Sequence, residues 1–186
     1  ARRRIVKRVH RGSILGLIRR NKRQTHLARQ RMQENRSTGK REISKIEPDQ
    51  LKILGTALYW AEGYKRLLVR NGRELTQHSV SLTNSDPQLI KMFIRFLTET
   101  CNVSKENIKA DVRIYEHMNT DRVVQFWQKS TGLPMKNFGK VYYGISKSSL
   151  GKRPFTRLPY GTILIRVNNT NLFHRIMGWI EGLKEQ

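Results

Sequence analysis

Glu62 is the residue whose position invites chemistry. It closes the run Leu54-Gly55-Thr56-Ala57-Leu58-Tyr59-Trp60-Ala61-Glu62-Gly63-Tyr64, which reads as a helix ending at a glycine. Gly63 can take a left-handed conformation and stop the helix. A carboxylate at a helix C-terminus sits at the negative end of the macrodipole and is disfavoured unless a cation compensates. A divalent metal ion would compensate, and so would Lys65 or Arg66 nearby. The run is also rich in small residues. Ala57 and Ala61 are four apart and share a face. A second helix can approach such a face until the backbones nearly touch, so Gly55, Thr56, Ala57 and Ala61 are candidate interface residues.

Other reaction centres are missing. His10, His26, His78, His117 and His174 have no metal-ligand spacing, and Cys101 is alone, which excludes an internal disulfide and a thiolate zinc site. There is no phosphate-binding Walker loop, dinucleotide glycine fingerprint or nucleophile elbow. Gly178-Trp179-Ile180-Glu181-Gly182 echoes the run around Glu62, but only four residues follow it. It reads as a closing amphipathic helix packed through Phe173, Ile176, Met177 and Ile180. Trp60, Trp127, Trp179, Phe93 and Phe96 fall on helices and read as core.

The elements that must position Glu62 follow from periodicity. A helix spans about 47–62, with Leu51, Leu54 and Leu58 at helical spacing. Strands are expected around 64–70 and 79–83, joined through the Asn71-Gly72 turn signal. Asn84-Ser85-Asp86-Pro87 starts a helix running to about Cys101, and residues 108–116 alternate as a strand with Ile108, Ala110, Val112 and Ile114 inward. Residues 121–131 form a helix with Val124, Phe126 and Trp127, closed by Gly132 and Pro134. Short strands at 138–145 and 161–167 flank a Lys/Ser/Gly loop at 146–152, and residues 171–183 form the last helix. The fold class is α+β: one antiparallel sheet with helices on one face and the other face open.

The stretch around Glu62 resembles the LAGLIDADG motif of homing endonucleases. Gly55 to Gly63 match the nine-residue pattern best at Ala57-Leu58 and Ala61-Glu62-Gly63, and the order of the following elements fits the family over roughly residues 50–183. Two departures stand out: Trp60 replaces the first acidic residue, and the 121–131 helix sits between the later strands. Leu58-Tyr59-Trp60-Ala61-Glu62-Gly63-Tyr64-Lys65 with the late Gly-Trp-Ile-Glu-Gly looks like a bacterial branch that includes DNA-binding regulators. The resemblance implies a saddle-shaped sheet over double-stranded DNA. One motif per chain implies a homodimer with Glu62 of each copy near the two-fold axis, and Mg²⁺ or another divalent cation bound at Glu62 and Ala61. It also implies a basic side chain near the scissile phosphate, for which Lys147 is the candidate. Two carboxylates in proximity would repel without metal between them, and the chemistry implied is metal-assisted phosphodiester hydrolysis. Relatives without chemistry, acting as transcriptional regulators, and RNA-binding intron maturases supply the two alternative functions.

Sheet positions facing away from the helices should meet the DNA. These are Arg66, Arg70, Arg73 and Gln77 in the first strand pair, Arg113 and Tyr115 in the third strand, and Arg166 and Asn168 in the last. Lys140, Lys152 and Arg153 join them from the late loop region. Arg and Gln can read guanine and adenine edges bidentately.

Charge points the same way. The chain has 186 residues, 37 Lys+Arg against 14 Asp+Glu, a net charge of +23 and a mean hydropathy of −0.63. Such a surplus points to a polyanionic partner. Residues 1–45 hold sixteen of the cations and only Glu34 and Glu42 as acids. Residues 1–46 are expected to form a basic nucleic-acid-binding arm, with short helices near 13–18 and 25–34, and residues 47–186 the LAGLIDADG-like domain. No run approaches the ~20 apolar residues of a membrane span. The Ala-Arg-Arg-Arg start lacks a secretory signal, so a processed or trimmed chain is expected, cytoplasmic and nucleoid-associated or organellar rather than secreted.

Overall fold

A computed structural model describes residues 2–66, 69–70, 72–144 and 158–186. The chain divides into two compact units, Ala1–Ile46 and Glu47–Gln186. No helix among the described residues is long and apolar enough to cross a membrane.

The first unit holds one helix, α1 (Arg2–Glu42), and none of its residues is buried. This corrects the expectation of two short helices. Between Arg2 and Glu42 there is no proline, and Arg, Lys, Gln, Leu and Ala all propagate helix well. Gly12, Gly16 and Gly39 each cost about 1 kcal/mol but do not break the hydrogen-bond ladder. Helices without tertiary packing are marginal in water. On heating, α1 will lose its ellipticity in a broad transition below the cooperative unfolding of residues 47–186. Circular dichroism at 222 nm checks this, and a single sharp transition for all the helix signal would contradict it.

The second unit is α+β. Helix α2 (Pro48–Glu62) is followed by β1 (Val69–Arg70), β2 (Arg73–Glu74), β3 (Val80–Asn84) and α3 (Pro87–Arg95). Then come β4 (Lys109–Ile114), α4 (Thr120–Thr131), β5 (Tyr142–Tyr143), β6 (Thr162–Val167) and α5 (Thr170–Lys184). Caps fix the helix starts. Asp86 Oδ1 accepts from the Gln88 N–H at 2.8 Å, Asn119 Oδ1 from the Arg122 N–H at 2.8 Å, and Asn169 Oδ1 from the Leu172 N–H at 2.9 Å. Gly132, at φ 65°, closes α4 in the left-handed conformation. In α4 the buried positions are Val123, Trp127 and Thr131, one residue off the Val124 expected to lead that face.

Among the described residues the main sheet has four strands in the order β3-β6-β4-β5. It is mixed, not wholly antiparallel: β4 pairs with β5 in parallel. The cause is α4, because a helical crossover between two strands returns the chain in the same direction. The expected pairing of residues 64–70 with 79–83 is also corrected. Gly72 does lie in a turn, but β1 pairs with β2 in a separate two-stranded hairpin. Among the described residues of this segment, Gly63 and Tyr64 alone reach β3, through a bridge to Leu82 and a Tyr64 N–H to Ser81 carbonyl bond of 2.9 Å.

One face of the sheet is dry. Val80, Leu82, Ala110, Val112, Ile114, Ile163, Ile165 and Val167 are buried beneath Phe93, Phe96, Trp127 and Ile176 from the helices. Each fully buried aliphatic or aromatic side chain contributes about 1.5–3 kcal/mol. Burial pushes the Tyr59 phenol up to about 12, opposed by the backbone around Ser81, and its hydroxyl donates to the Tyr64 carbonyl at 2.6 Å. Burial likewise pushes the Cys101 thiol up to about 12, with Arg175 drawing it back, so it is a poor nucleophile at neutral pH.

Candidate nucleic-acid interface

The other sheet face is the more exposed one, although Ser81 on it is buried. In β4, Lys109 and Arg113 are exposed and Asp111 half-buried, alternating with buried Ala110, Val112 and Ile114. In β6, Thr162, Leu164 and Arg166 alternate in the same way. Strand register lays them out in rows: Ser81, Arg166 and Lys109 in one, Thr83, Leu164 and Asp111 in the next, Thr162, Arg113 and Tyr142 in the third. Arg166 reaches diagonally to Asp111, Nη2 to Oδ2 at 3.2 Å. One of the candidate base-reading arginines therefore already holds an acid. Arg113 borders a concavity of about 520 Å³ with Thr83, Tyr115, Tyr142 and Tyr143.

Gly161 builds this end of the sheet. Its φ is 59°, and a Cβ there would strike the Arg113 carbonyl, so only glycine lets β6 start so close to β4.

The remaining sequence candidates scatter. Arg70 and Arg73 pair in register across the β1–β2 hairpin, outside the main sheet. Gln77 is exposed but in no strand, and Arg66, Lys140 and Asn168 are exposed beside strands rather than in them. Tyr115 lies just past β4 and stacks on His117 with ring centroids 5.9 Å apart. Lys147, Lys152 and Arg153 lie outside the described residues. Lys109, Thr83, Thr162 and Tyr142 escape the sequence reading. The alternation that turns Ile108 and Ala110 inward carries the signal for Lys109, and the same rule applied to β6 finds Thr162.

At α2 the candidate dimer face divides. Gly55 and Thr56 are buried within their own protomer, Gly55 directly under the Phe96 ring, which corrects their assignment to an interface. Ala57 and Ala61 are exposed. With Ile53 (57% exposed) and Trp60 (42%) they form one outward apolar stripe, so Trp60 is not a core residue. The Lys184 ammonium lies 5.7 Å from the Trp60 ring centroid.

Gly63 is extended (φ −74°, ψ 153°), not left-handed. Glycine is needed there because a Cβ would collide with the Tyr59 ring and carbonyl. Glu62 is exposed and has no hydrogen bond or ion pair among the described residues. The helix end is compensated by Lys65 instead, whose Nζ donates to the carbonyls of Gly63 (2.6 Å) and Tyr59 (3.4 Å). No group of three His, Cys, Asp or Glu side chains that could hold a metal occurs among the described residues. Compared with protein-family models, curated proteins and solved structures, the chain matches none.

Proposed function

We propose that residues 47–186 are a LAGLIDADG-type unit that pairs through α2 with a second copy and cleaves duplex DNA with Mg²⁺ held at Glu62. One observation supports this reading: an exposed apolar stripe (Ile53, Ala57, Trp60, Ala61) runs along the helix that ends in Glu62, whose carboxylate has no partner among the described residues. Mg²⁺ is commonly held by one or two carboxylates together with waters and substrate phosphate oxygens. A single Glu62 per chain fits that donor set only when a second copy and the DNA add theirs; Ala61 would contribute from beside it. Bound there, the ion would supply Lewis acidity toward the phosphodiester and a more acidic water. Lys109 and Arg113 on the open sheet face would hold phosphates or guanine edges.

A second reading, a DNA-binding regulator without chemistry, is favoured by Trp60 in place of the motif's first acid and by the lack of a preformed metal cluster among the described residues. The test is a duplex recovered by binding from a randomised pool, incubated with the protein with and without Mg²⁺. We expect cutting of both strands only with Mg²⁺. Glu62→Gln should bind equally well and cleave at least about 100-fold more slowly, since even outer-sphere partners of a metal are worth about 10–100-fold. Tight binding without cutting, indifferent to Mg²⁺, would establish the regulator. Failure to bind any duplex would remove both readings.

A further inference from the structure

Helix α1 buries nothing, yet its charges are ordered around its circumference. Successive residues advance about 100° around an α-helix. Between Arg19 and Arg41 the cations fall into three rows. Lys22, Arg29, Arg36 and Lys40 make one; Arg20 and Arg31 make a second, roughly opposite the first; Arg19, Arg23 and Arg41 lie between them on the back. The remaining side, on the order of 100° wide, carries no charge. It presents Asn21, Gln24, Ala28, Met32 and Asn35, all exposed, at spacings of three and four.

Cations on three sides do not suit a flat anionic surface. A helix lying on a membrane puts its charges on one face and large apolar groups on the opposite one. They do suit a groove whose walls are phosphates. The B-DNA major groove is about 12 Å wide and admits an α-helix of about 10–12 Å diameter. A helix seated there needs cations along both flanks and slim, uncharged side chains toward the floor. Asn and Gln can pair bidentately with adenine, and small apolar side chains can contact the thymine methyl. The deep, narrow major groove of A-form RNA excludes such a helix.

We infer that residues 19–41 form a recognition helix for the major groove of duplex DNA, with Asn21, Gln24, Ala28, Met32 and Asn35 on the base edges and the two flanking rows on phosphates. The inference rests on the reading of this chain as a DNA-binding protein. It adds a sequence-reading element separate from the sheet face. Because the groove curves away from a straight rod, base reading is confined to the stretch from Asn21 to Asn35, and Lys40 beyond it grips phosphate. Like-charged neighbours such as Arg19 with Arg23 and Arg36 with Lys40 are mutually destabilising in the free helix, and phosphate relieves them.

The experiment uses the full chain and selection from a pool of duplexes with a randomised central segment. Gln24→Ala with Asn35→Ala should leave affinity for mixed-sequence duplex within about twofold, yet erase base preference over one contiguous block of about four base pairs. Lys22→Gln, Arg29→Gln, Arg36→Gln and Lys40→Gln together should weaken binding to all sequences alike. They should also flatten the log–log salt slope by about three to four, at about 0.9 for each phosphate no longer neutralised. All six positions are exposed, so folding is not at stake. A sheet variant, Lys109→Ala with Arg113→Ala, separates the two claims. If it alone changes the selected sequence and the arm variants change nothing, the recognition helix is wrong and the domain reading stands. If the arm block persists while the sheet variant changes nothing, the recognition helix stands and the domain reading falls. Tighter binding to double-stranded RNA, or to phosphatidylserine vesicles, than to duplex DNA would also overturn the inference.

Discussion

Gly55→Val will yield a chain that fails to fold, not a folded protomer that has lost its partner. A Cβ at this position would overlap the Phe96 ring. That ring has nowhere to go: it is fully buried, 6.1 Å from the Phe93 centroid and 6.1 Å from Trp179, which meets it edge-on. Overpacking a tight core by even a methylene or two costs about 1–3 kcal/mol, and valine adds three carbons, so a loss of about 3 kcal/mol or more is expected. Urea unfolding with sedimentation checks it. A variant with an unchanged midpoint but weaker self-association would mean that Gly55 faces a second copy after all. Ala57→Leu is the contrasting case: that residue is exposed, and the change should leave the urea midpoint where it was.

Trp127→Ala should be nearly as damaging, at about 3–5 kcal/mol. The indole is wholly buried, and its N–H donates to the Tyr160 carbonyl at 2.7 Å. Tyr160 in turn stacks on Phe126 with ring centroids 3.5 Å apart. So α4 clamps the chain one residue before Gly161, where β6 must enter tightly against Arg113. Trp127→Phe keeps much of the ring and removes the donor. It should cost about 1–3 kcal/mol for the unsatisfied carbonyl alone. If duplex is bound through Arg113 as proposed, both variants should also weaken that binding, since the strand that flanks it would lose its anchor. Chemical denaturation gives the stability ranking wild type, Phe, Ala; an alanine variant as stable as the wild type would refute the packing described.

The helices of residues 47–186 are legible in the sequence because cap, apolar spacing and terminator agree. Around α4, Val124, Phe126 and Trp127 with the closing Gly132 and Pro134 show the helix, although Val123 and not Val124 leads its buried face. Strands β4 and β6 are legible through strict alternation. Pairing is not. A period of two says which side chains share a face but not which neighbour the strand takes, so Asn71-Gly72 locates a turn without naming the strands it joins. The parallel β5 follows from α4, which the sequence shows as an insertion without showing its effect on strand direction. Glycines mislead for a related reason. A sequence shows that a position must be small, not what presses on it: Phe96 presses on Gly55 and Tyr59 on Gly63, both from the same protomer. Of the candidate site, Glu62, Ala61 and Arg113 lie on the surface, whereas the engagement of Arg166 by Asp111 depends on a diagonal that only strand register reveals.

Lys65 gives the close of α2 its own tethered counter-ion. Its ammonium group sits on the Gly63 and Tyr59 carbonyls, where an unattached cation would otherwise be drawn. The negative pole of the helix is thus largely spoken for, and what remains on offer at Glu62 is the carboxylate alone. Any visiting ion must be recruited by that group and by whatever a neighbouring molecule brings. On the reading proposed above, such an arrangement would leave the isolated subunit little hold on dissolved magnesium and would tie metal capture to assembly.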